Sequence, residues 1–467
     1  MIEGLSGDRM LIALLIGIVF LIYVILKTKI QSFIALIMCT VIVGVIGGMP
    51  LTNEVIGGKT VSIVNSITSG FGGTLGSIGI IIGFGVIMGQ IFEATGAAKR
   101  MAFTFLRLFG KKREEDAMAL TGFFVSIPIF CDSGFVILSP IAKAISQAVK
   151  KSVIGLGVAL GSGLVITHTM VPPTPGPLGV CGIFGIDVGK FILFTLVLAI
   201  PMTIGCLLYA KYYIPRKLFR IPNENGEIVD VPRCEPDFTS LLKEDLSQVP
   251  GTFEAFAPLV IPILLILINT VSTAFGATEG FMAYLIFLGQ PIVAVGIGVL
   301  ISIFTLARRL DRKTALAEME KGMAQAGVIM LVTGGGGALG QIIKDSGLGT
   351  YMAEGMASAS IPIIILPLAI ATVMRFIQGS GTVAMTTAAS ISAPIVIAAG
   401  VDPVFGAIAC CVGSLFFSYF NDSMFWVVNR MLGVTEVKEQ ILVWSIPTTI
   451  AWGIGIIEVL ILEVVWF

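Results

Sequence analysis

Residues 117–141 read AMALTGFFVSIPIFCDSGFVILSPI, and this stretch decides the fold. It is largely apolar, yet it lies between Arg113 and Lys150, which the charge pattern described below places on the same side of a membrane. The stretch breaks at Ser126–Gly134, which leaves a first arm of about ten residues, or roughly 15 Å of helix. Two short arms that begin and end on one side predict a re-entrant hairpin.

The composition predicts a membrane protein. Of the 467 residues, 56% are hydrophobic and only 12% are charged, whereas soluble domains average roughly a quarter charged. Several apolar runs of about 17–25 residues can cross roughly 30 Å of hydrocarbon. These runs are Met10–Leu26, Ile30–Met49, Leu75–Ile91, Phe191–Ala210, Phe256–Thr273, Phe281–Leu306 and Ile441–Val465. We expect the first run to be retained as a helix, because acidic residues precede it and no small-residue cleavage site appears.

Lysine and arginine are distributed unevenly along the chain. With the N-terminus outside, the predicted cytoplasmic loops hold 24 of the 29 lysines and arginines, which is a strong positive-inside bias. The loops are Lys27–Lys29, Lys99–Lys151, Lys211–Phe253, Arg308–Lys321 and Arg430–Lys438. This orientation makes Ile361–Ala398, broken at Gln378–Thr382, a second hairpin that enters from the outside.

Two spanning helices are predicted to unwind in mid-membrane. Thr167–Pro177 follows the helix Val153–Ile166 and ends with four prolines in six residues, which cannot continue a helix. Its counterpart is Ser418–Ser423, between Phe405–Phe417 and Met424–Met431.

An internal repeat relates these features. Gly89–Gly96 matches Gly340–Gly347 at an offset of 251 residues, and the same offset sets Thr167 opposite Ser418. Because the charge pattern makes the copies enter from opposite sides, we predict an inverted repeat, common in secondary transporters. The predicted fold is an all-α polytopic membrane protein with two inverted repeats, about ten transmembrane helices, two re-entrant hairpins and two unwound helices. The first repeat covers 1–210, a cytoplasmic linker with a short helix at Phe238–Leu246 covers 211–253, and the second repeat covers 254–467.

The four breaks predict one shared site, because unwound backbone at membrane depth must line a cavity or be buried in protein. Half-helices that start there present free N–H groups and a positive dipole end to an anion. Hydroxyls donate to a carboxylate or to substrate hydroxyls, and glycines permit close approach. The predicted substrate-binding residues are Arg375, Ser133, Gly134, Thr167, Thr174, Gly379, Ser380, Gly381, Thr382, Asn421 and Ser423.

Four ionisable residues, Asp132, His168, Arg375 and Asp422, lie at or beside the breaks. A charge in mid-membrane costs around 3 kcal/mol or more, so each predicts a function. Arg375 can donate two parallel hydrogen bonds to a substrate carboxylate; the alternative is an internal ion pair with Asp132 or Asp422. Asp132, ahead of His168, is expected to carry a coupling proton, with Asp422 as the competitor. The structural alternatives are a helix cap for Asp132 and a hydrogen bond for His168.

At these residues the chain resembles the gluconate permease (GntP) family of the ion transporter superfamily. The resemblance is carried by Gly70–Gly79, Thr167-His168 with Pro172–Pro177, Gly334–Gly337 with Lys344–Gly347, Arg375–Ala384 and Phe417–Trp426. It implies proton-coupled uptake of sugar acids such as gluconate, with relatives that handle D-serine or glycerate, and a homodimer with an elevator-like motion of the hairpin-bearing part. The tip Pro128–Gly134 and the threonine of Pro172–Pro177 depart from the family pattern, which implies a site of different shape and polarity.

The predicted function is uptake of a small hydroxylated carboxylate across a bacterial inner membrane by proton symport, with sodium coupling or exchange as the alternative. Its expected partners are the organic acid, a proton or sodium ion, the lipid bilayer and a second copy of the chain. No ATP-binding Walker pattern occurs, so uptake must draw on an ion gradient or on exchange. A passive channel would need a continuous polar pore, and an intramembrane hydrolase would need a catalytic set that has no signature here. A formal net charge of zero gives no indication of nucleic acid, and seven cysteines without metal-ligand spacing predict neither metal nor cofactor.

Overall fold

Helices form almost all of the chain. The computed structural model describes residues 6–56, 59–109, 112–222, 228–230, 249–276, 279–359 and 362–466. The α-helices are α1 (Gly7–Lys27), α2 (Ser32–Gly47), α3 (Ile63–Thr95), α4 (Ala97–Phe109), α5 (Glu114–Val125), α6 (Cys131–Val149), α7 (Val153–Met170), α8 (Pro175–Phe184), α9 (Val188–Leu208), α10 (Ile214–Lys217), α11 (Thr252–Ala274), α12 (Phe281–Leu288), α13 (Pro291–Thr305), α14 (Arg312–Asp345), α15 (Leu348–Ser358), α16 (Ile365–Gln378), α17 (Gly381–Ala398), α18 (Pro403–Gly413), α19 (Ser423–Met431), α20 (Val437–Gln440) and α21 (Ile446–Trp466). Short π-helical segments at Tyr209–Tyr213 and Ile441–Ser445 and a 3₁₀ turn at Ala307–Arg309 adjoin them.

Two short β-hairpins depart from the all-α prediction. Strands β1 (Glu54–Ile56) and β2 (Lys59–Val61) pair antiparallel before α3, and β3 (Arg220–Pro222) and β4 (Ile228–Asp230) pair antiparallel in the predicted linker. The helix expected at Phe238–Leu246 lies outside the described residues.

Nine helical stretches among the described residues are long and apolar enough to cross a bilayer. This number includes α17, an arm of the second predicted hairpin, and leaves out α2 and the divided helix α18–α19, which are shorter. The predicted span Phe281–Leu306 was wrong as a single helix, because it divides into α12 and α13 at Gly289-Gln290. Pro291 explains the division, since the residue before a proline is disfavoured in the helical region.

The long helices α3 and α14 form an antiparallel pair. Near the start of α3, a Cβ atom at Gly70 would lie only 2.4 Å from the carbonyl oxygen of Gly337, near the end of α14. Near the end of α3, Gln90 donates a hydrogen bond to Gln325, near the start of α14, at 3.3 Å. These two contacts show that α3 and α14 run antiparallel.

Helix boundaries in the two halves correspond at one offset. Ala97, which begins α4, and Leu348, which begins α15, are 251 positions apart. Glu114, which begins α5, and Ile365, which begins α16, are separated by the same 251 positions. The offset found in the sequence is thus also the offset of the helix starts.

The first helix pair, α5 and α6, returns to its starting side. The ammonium of Lys151, just after α6, lies 2.8 Å from the carboxylate of Glu114 and 2.5 Å from that of Glu115, both at the start of α5. The tip between the helices, residues 126–130, packs on α3, where a Cβ atom at Gly89 would lie 2.2 Å from the carbonyl oxygen of Pro128. This stretch of α3 therefore meets the tip with bare backbone.

The second helix pair, α16 and α17, turns at two residues. Gly379 has a φ of +79°, a left-handed conformation that favours glycine. Ser380 caps α17, and its Oγ accepts a hydrogen bond from the Val383 N–H at 3.4 Å. These two residues end one arm and start the next.

The two predicted interruptions are present with different bounds. Helix α7 continues through Thr167 and His168 to Met170, so the first break is only four residues long and those two residues were wrongly placed in it. Val171 precedes a proline, which explains the later stop. Helix α18 ends early, at Gly413, and the Ser418 N–H donates to Thr448 Oγ1 at 3.0 Å. A partner outside the helix therefore replaces a helical hydrogen bond.

Candidate functional site

Both hairpin tips, the second helix break and the last turns of α7 border one cavity of about 660 Å³, which we call the site cavity; the four residues of the first break do not line it. Helix α14 closes another side with Gln325, Val328 and Ile329. Eleven of the predicted residues line it: Asp132, Ser133, His168, Arg375, Gly379, Ser380, Gly381, Thr382, Asn421, Asp422 and Ser423. Segments far apart in sequence thus meet where the pattern of breaks placed them.

Three predicted residues do not line the site cavity. Gly134 is buried, and a Cβ atom there would lie 2.8 Å from the side chain of Leu164. Thr167 is fully buried within α7, and Thr174 Oγ1 donates to the carbonyl of Val171 at 2.7 Å. Gly134 therefore serves helix packing, and the Thr174 hydroxyl closes a local turn.

Two glutamines were missed by the sequence analysis. Gln378, at the end of α16, and Gln325 both line the site cavity. The available signals were a polar amide within the apolar part of α14 for Gln325 and, for Gln378, its position at the start of the predicted break Gln378–Thr382. Thr169, Cys131 and Ser414 also line the cavity and were not predicted.

Arg375 forms a buried ion pair with Asp422. The guanidinium Nη2 donates to Asp422 Oδ2 at 2.5 Å, and the two side chains are only 5% and 10% exposed. Nη1 donates to the carbonyl oxygen of Gly379 in the second tip. The internal ion pair considered for Arg375 is therefore present, and the arginine also holds the turn that starts α17.

The Asp422 carboxylate is surrounded by donors. Its Oδ2 also accepts from the Ser418 hydroxyl, and its Oδ1 accepts from the Met424 N–H at 3.2 Å, so it caps α19. The Trp444 indole donates to Ser418 Oγ at 2.8 Å. This network fixes the second break against the π-helical segment before α21.

Asp132 has fewer partners. Its Oδ2 accepts a hydrogen bond from Ser423 Oγ at 2.6 Å, which joins the first tip to the second break. The Cys131 thiol lies 3.7 Å from its other oxygen. None of the ion pairs among the described residues includes Asp132. Its negative charge is therefore not balanced by a cation in contact.

His168 lies beside the first tip, with its ring centroid 5.5 Å from that of Phe130. Its Nδ1 is buried and forms no hydrogen bond with a described residue. Nδ1 therefore makes no structural hydrogen bond of the kind considered for His168, and this nitrogen is available to a ligand or proton.

Other buried polar atoms of cavity residues also lack partners among the described residues. They are the donors Arg375 Nε and Gln378 Nε2 and the acceptor Asn421 Oδ1. The Asn421 amide nitrogen is occupied, since it donates to the carbonyl of Phe376 at 3.0 Å. Buried polar groups are normally paired, so this set suits a ligand that accepts at one end and donates at another.

A further intramembrane acid, Glu458 of α21, was not counted in the sequence analysis. Both of its carboxylate oxygens are buried and bonded to no described residue, and it does not line the site cavity. Among the described residues no group of three or more histidine, cysteine, aspartate or glutamate side chains is placed to hold a metal ion.

Comparison with solved structures shows the fold. The crystal structure of the Alcanivorax borkumensis YdaH transporter, whose description notes an unusual topology, is similar with a TM-score of 0.62 at 14% sequence identity. The match covers 97% of this chain and 99% of that one.

Comparison with other sequences shows the family. The chain is 46% identical to an uncharacterized permease of Haemophilus influenzae, over 98% of this chain and 92% of that one. It is 33% identical to a gluconate permease of Pseudomonas aeruginosa, over 99% of both chains. It is 30% identical to the Gnt-II system L-idonate transporter of Escherichia coli, over 97% and 99%.

These relatives are permeases rather than enzymes, and an inner membrane permease of Escherichia coli is 32% identical. Together with the apolar helices, they place the chain as a multi-pass protein of the bacterial inner membrane. The profile of the GntP family permeases matches residues 9–465. The chain therefore belongs to the GntP permease family.

Proposed function

We propose that this permease is a secondary active transporter that carries a small hydroxylated carboxylate, a gluconate-like sugar acid or glycerate, into the cell together with a proton. The observation that carries the proposal is the site cavity, where both tips, the second break and the end of α7 meet around buried polar atoms without partners among the described residues. The names of the gluconate and L-idonate relatives support the substrate class.

The proposed architecture is two inverted repeats, 1–210 and 254–467, joined by a cytoplasmic linker at 211–253. The antiparallel pair α3 and α14 and the shared offset of helix starts support it. The charge bias supports an outside N-terminus, ten spanning helices, a first hairpin entering from the cytoplasm and a second entering from outside. The family resemblance supports a homodimer.

The substrate carboxylate is proposed to bind at the second tip. The N-terminus of α17 presents free N–H groups with a positive dipole end, and the hydroxyls of Ser380 and Thr382 lie beside it in the cavity lining. Gln378 Nε2 and Arg375 Nε add donors. Asn421 Oδ1 is the matching acceptor for a substrate hydroxyl. Arg375 thus acts with Asp422 as a neutral pair that shapes the tip, and not as a free cationic clamp.

Charge balance supports Asp132 as the proton site. Arg375 and Asp422 neutralise each other at 2.5 Å, so they supply no net charge to the cavity. A substrate carboxylate would then meet the negative Asp132, and like charges in a low dielectric repel strongly. Protonation of Asp132 removes this repulsion, so proton and substrate each favour the binding of the other. His168 is proposed as a second proton acceptor beside the tip.

The test is uptake of radiolabelled gluconate and glycerate by purified protein in proteoliposomes with imposed gradients. We expect accumulation when the outside is acidic, and collapse of accumulation when an uncoupler is added. Sodium-driven uptake that ignores the pH gradient would identify a sodium-coupled carrier instead. Uptake that never exceeds the outside concentration would identify a channel. Absence of binding and uptake for all C3–C6 hydroxy acids would overturn the substrate class.

A further inference from the structure

A second cavity, of about 430 Å³, lies at the other end of the α3–α14 pair. We call it the outer cavity; its walls come from α3, α8, α14, α15 and α17. On α14 it reaches Lys344, which is about 28 Å along the helix from Gln325 in the site cavity. Helix α17 borders both cavities, with Thr382 in one and Pro394 in the other. The two cavities thus occupy opposite ends of the same helices.

The repeat relates the walls of these cavities. At the offset of 251 residues, Gln325 and Val328 of the site cavity correspond to Thr74 and Ser77 of α3. Thr74 lines the outer cavity, and Ser77 lines an adjoining cavity of about 330 Å³ that shares Gly182 with it. The face of α14 that borders the site therefore has its counterpart on α3 at the outer cavity.

The outer cavity carries a cation, Lys344, that forms no ion pair with a described residue. Lys344 is exposed at the wall of this cavity. The neighbouring carboxylate of Asp345 accepts hydrogen bonds from Ser66 at 2.6 Å and from Gln341 at 2.8 Å. Because these donors occupy Asp345, the lysine is free to attract an anion.

Two glycines that line the outer cavity face open space. A Cβ atom at Gly73 or at Gly185 would have no heavy atom within 4 Å, so neither position is filled by a neighbour. A side chain or chemical label introduced at Gly73 would project into this space without displacing a helix.

We propose that the outer cavity admits the organic anion from outside the cell, with Lys344 attracting its carboxylate. When the site opens outward, Thr74 and Ser77 contact the substrate in place of Gln325 and Val328. This inference rests on the proposed function and orientation, and it adds a second set of substrate contacts in the first half of the chain.

The test is Gly73→Cys in intact cells, treated with a bulky membrane-impermeant maleimide. Labelling is expected to reduce uptake at least fivefold relative to the same unlabelled variant, and saturating substrate is expected to slow the labelling. The control is Thr60→Cys on the exposed β1–β2 hairpin, which lies outside the cavity lining. Full labelling of Gly73→Cys with unchanged uptake, or with no effect of substrate, would overturn the proposal.

Lys344→Gln provides a second measurement. The KM for uptake is expected to rise three- to tenfold with the maximal rate retained, and the increase should shrink at high salt because the ions screen a surface charge. Lys344→Arg should restore the KM, and Lys190→Gln, whose lysine pairs with Asp402 at 2.7 Å, should not change it. If the KM of Lys344→Gln is unchanged, Lys344 does not attract the substrate carboxylate, and this part of the proposal is overturned.

The unmodified protein separates this inference from the proposed function. If the wild-type protein takes up a hydroxy acid and fully labelled Gly73→Cys takes it up equally well, the function stands and the outer cavity is removed from the pathway. Wild-type protein that transports no hydroxy acid overturns the function, and the outer cavity proposal falls with it.

Discussion

The two halves of the molecule hold an aspartate in the same cavity in different ways. Asp422 binds Arg375, the Ser418 hydroxyl and the Met424 N–H. Among the described residues, Asp132 has as partners the Ser423 hydroxyl and the nearby Cys131 thiol. At the repeat offset the two are not counterparts, since Asp132 corresponds to Val383 and Asp422 to Val171. The two carboxylates therefore differ in their electrostatics: Asp422 is paired with a cation, whereas Asp132 contacts no cation among the described residues.

The largest expected effect comes from removing Arg375, the cation that pairs with Asp422 in the second half. Arg375→Met leaves a buried carboxylate without its cation, which typically costs about 3–5 kcal/mol. We expect loss of transport and a large fall in the unfolding temperature of the detergent-solubilised protein. Arg375→Lys keeps the charge without the planar fork, so it should fold and bind substrate weakly.

The double variant Arg375→Met/Asp422→Asn is the control for this pair. It removes both charges and should recover much of the stability without recovering substrate binding. Wild-type stability in Arg375→Met alone would show that Asp422 does not depend on the arginine, and the comparison of the two halves would fail.

The second effect concerns the unbalanced aspartate. Asp132→Asn should reduce the accumulation driven by a pH gradient at least tenfold. Counterflow exchange should continue, because exchange needs no net proton movement. Asp422→Asn should instead weaken binding in both assays. If Asp132→Asn still concentrates substrate in response to a pH gradient, the coupling proton must be carried elsewhere, with His168 tested next.

A smaller effect is expected at Gln378. Its amide nitrogen is buried and unpaired, so Gln378→Leu removes a donor for the substrate at no cost to an existing hydrogen bond. A lost hydrogen bond to a charged group is worth about 1.5–3 kcal/mol, so substrate affinity measured by calorimetry should fall ten- to a hundredfold. Gln31→Leu, at an exposed position before α2 and outside both cavities, is the glutamine control and should leave this equilibrium affinity close to wild type.

The smallest effect is expected at the hydrogen bond between Ser423 and Asp132, which joins the two halves. Ser423→Ala removes the hydroxyl that donates to Asp132 at 2.6 Å. The hydrogen bond from Ser423 favours the charged form of the Asp132 carboxylate. In the Ser423→Ala variant, Asp132 should therefore bind its proton more readily. The pH at which uptake is half-maximal should move upward by about one unit or less. A downward shift would show that Ser423 accepts a hydrogen bond from protonated Asp132.

Much of the arrangement could be predicted from the sequence because its signals are local or periodic. The apolar arms around Ser126–Gly134, the short arms at Gln378–Thr382 and the proline run at Pro172–Pro177 mark breaks by composition alone. Since breaks at membrane depth need protein or a cavity around them, the convergence of the two tips and the second break on one cavity could be predicted, whereas the proline run does not line that cavity. Eleven predicted residues therefore line the site cavity.

The remainder depends on contacts that no local pattern contains. The choice of Asp422 over Asp132 as the partner of Arg375 is set by the packing of α16 against α18 and the second break. Thr167 falls on a buried face because α7 runs one turn further than its polar residues suggested. After the early end of α18, the Ser418 N–H donates to Thr448, thirty positions further along the chain. Pro291, by contrast, was a visible signal for the division of α12 from α13 that the apolar run concealed.

The glycines of α3 bear on how fast the protein can work. At Gly89 and Gly85 the helix meets the carbonyl oxygens of Pro128 and Pro173 with no side chain between. In an elevator-like cycle these contacts would be broken and remade at every turnover. Because these positions have no Cβ atom, the moving part meets no side-chain methyl group there that would have to be displaced. A side chain that raised the activation barrier by about 1.4 kcal/mol would slow the cycle about tenfold. In the proposed cycle, we therefore expect the turnover number to depend in part on two glycines that do not line the site cavity.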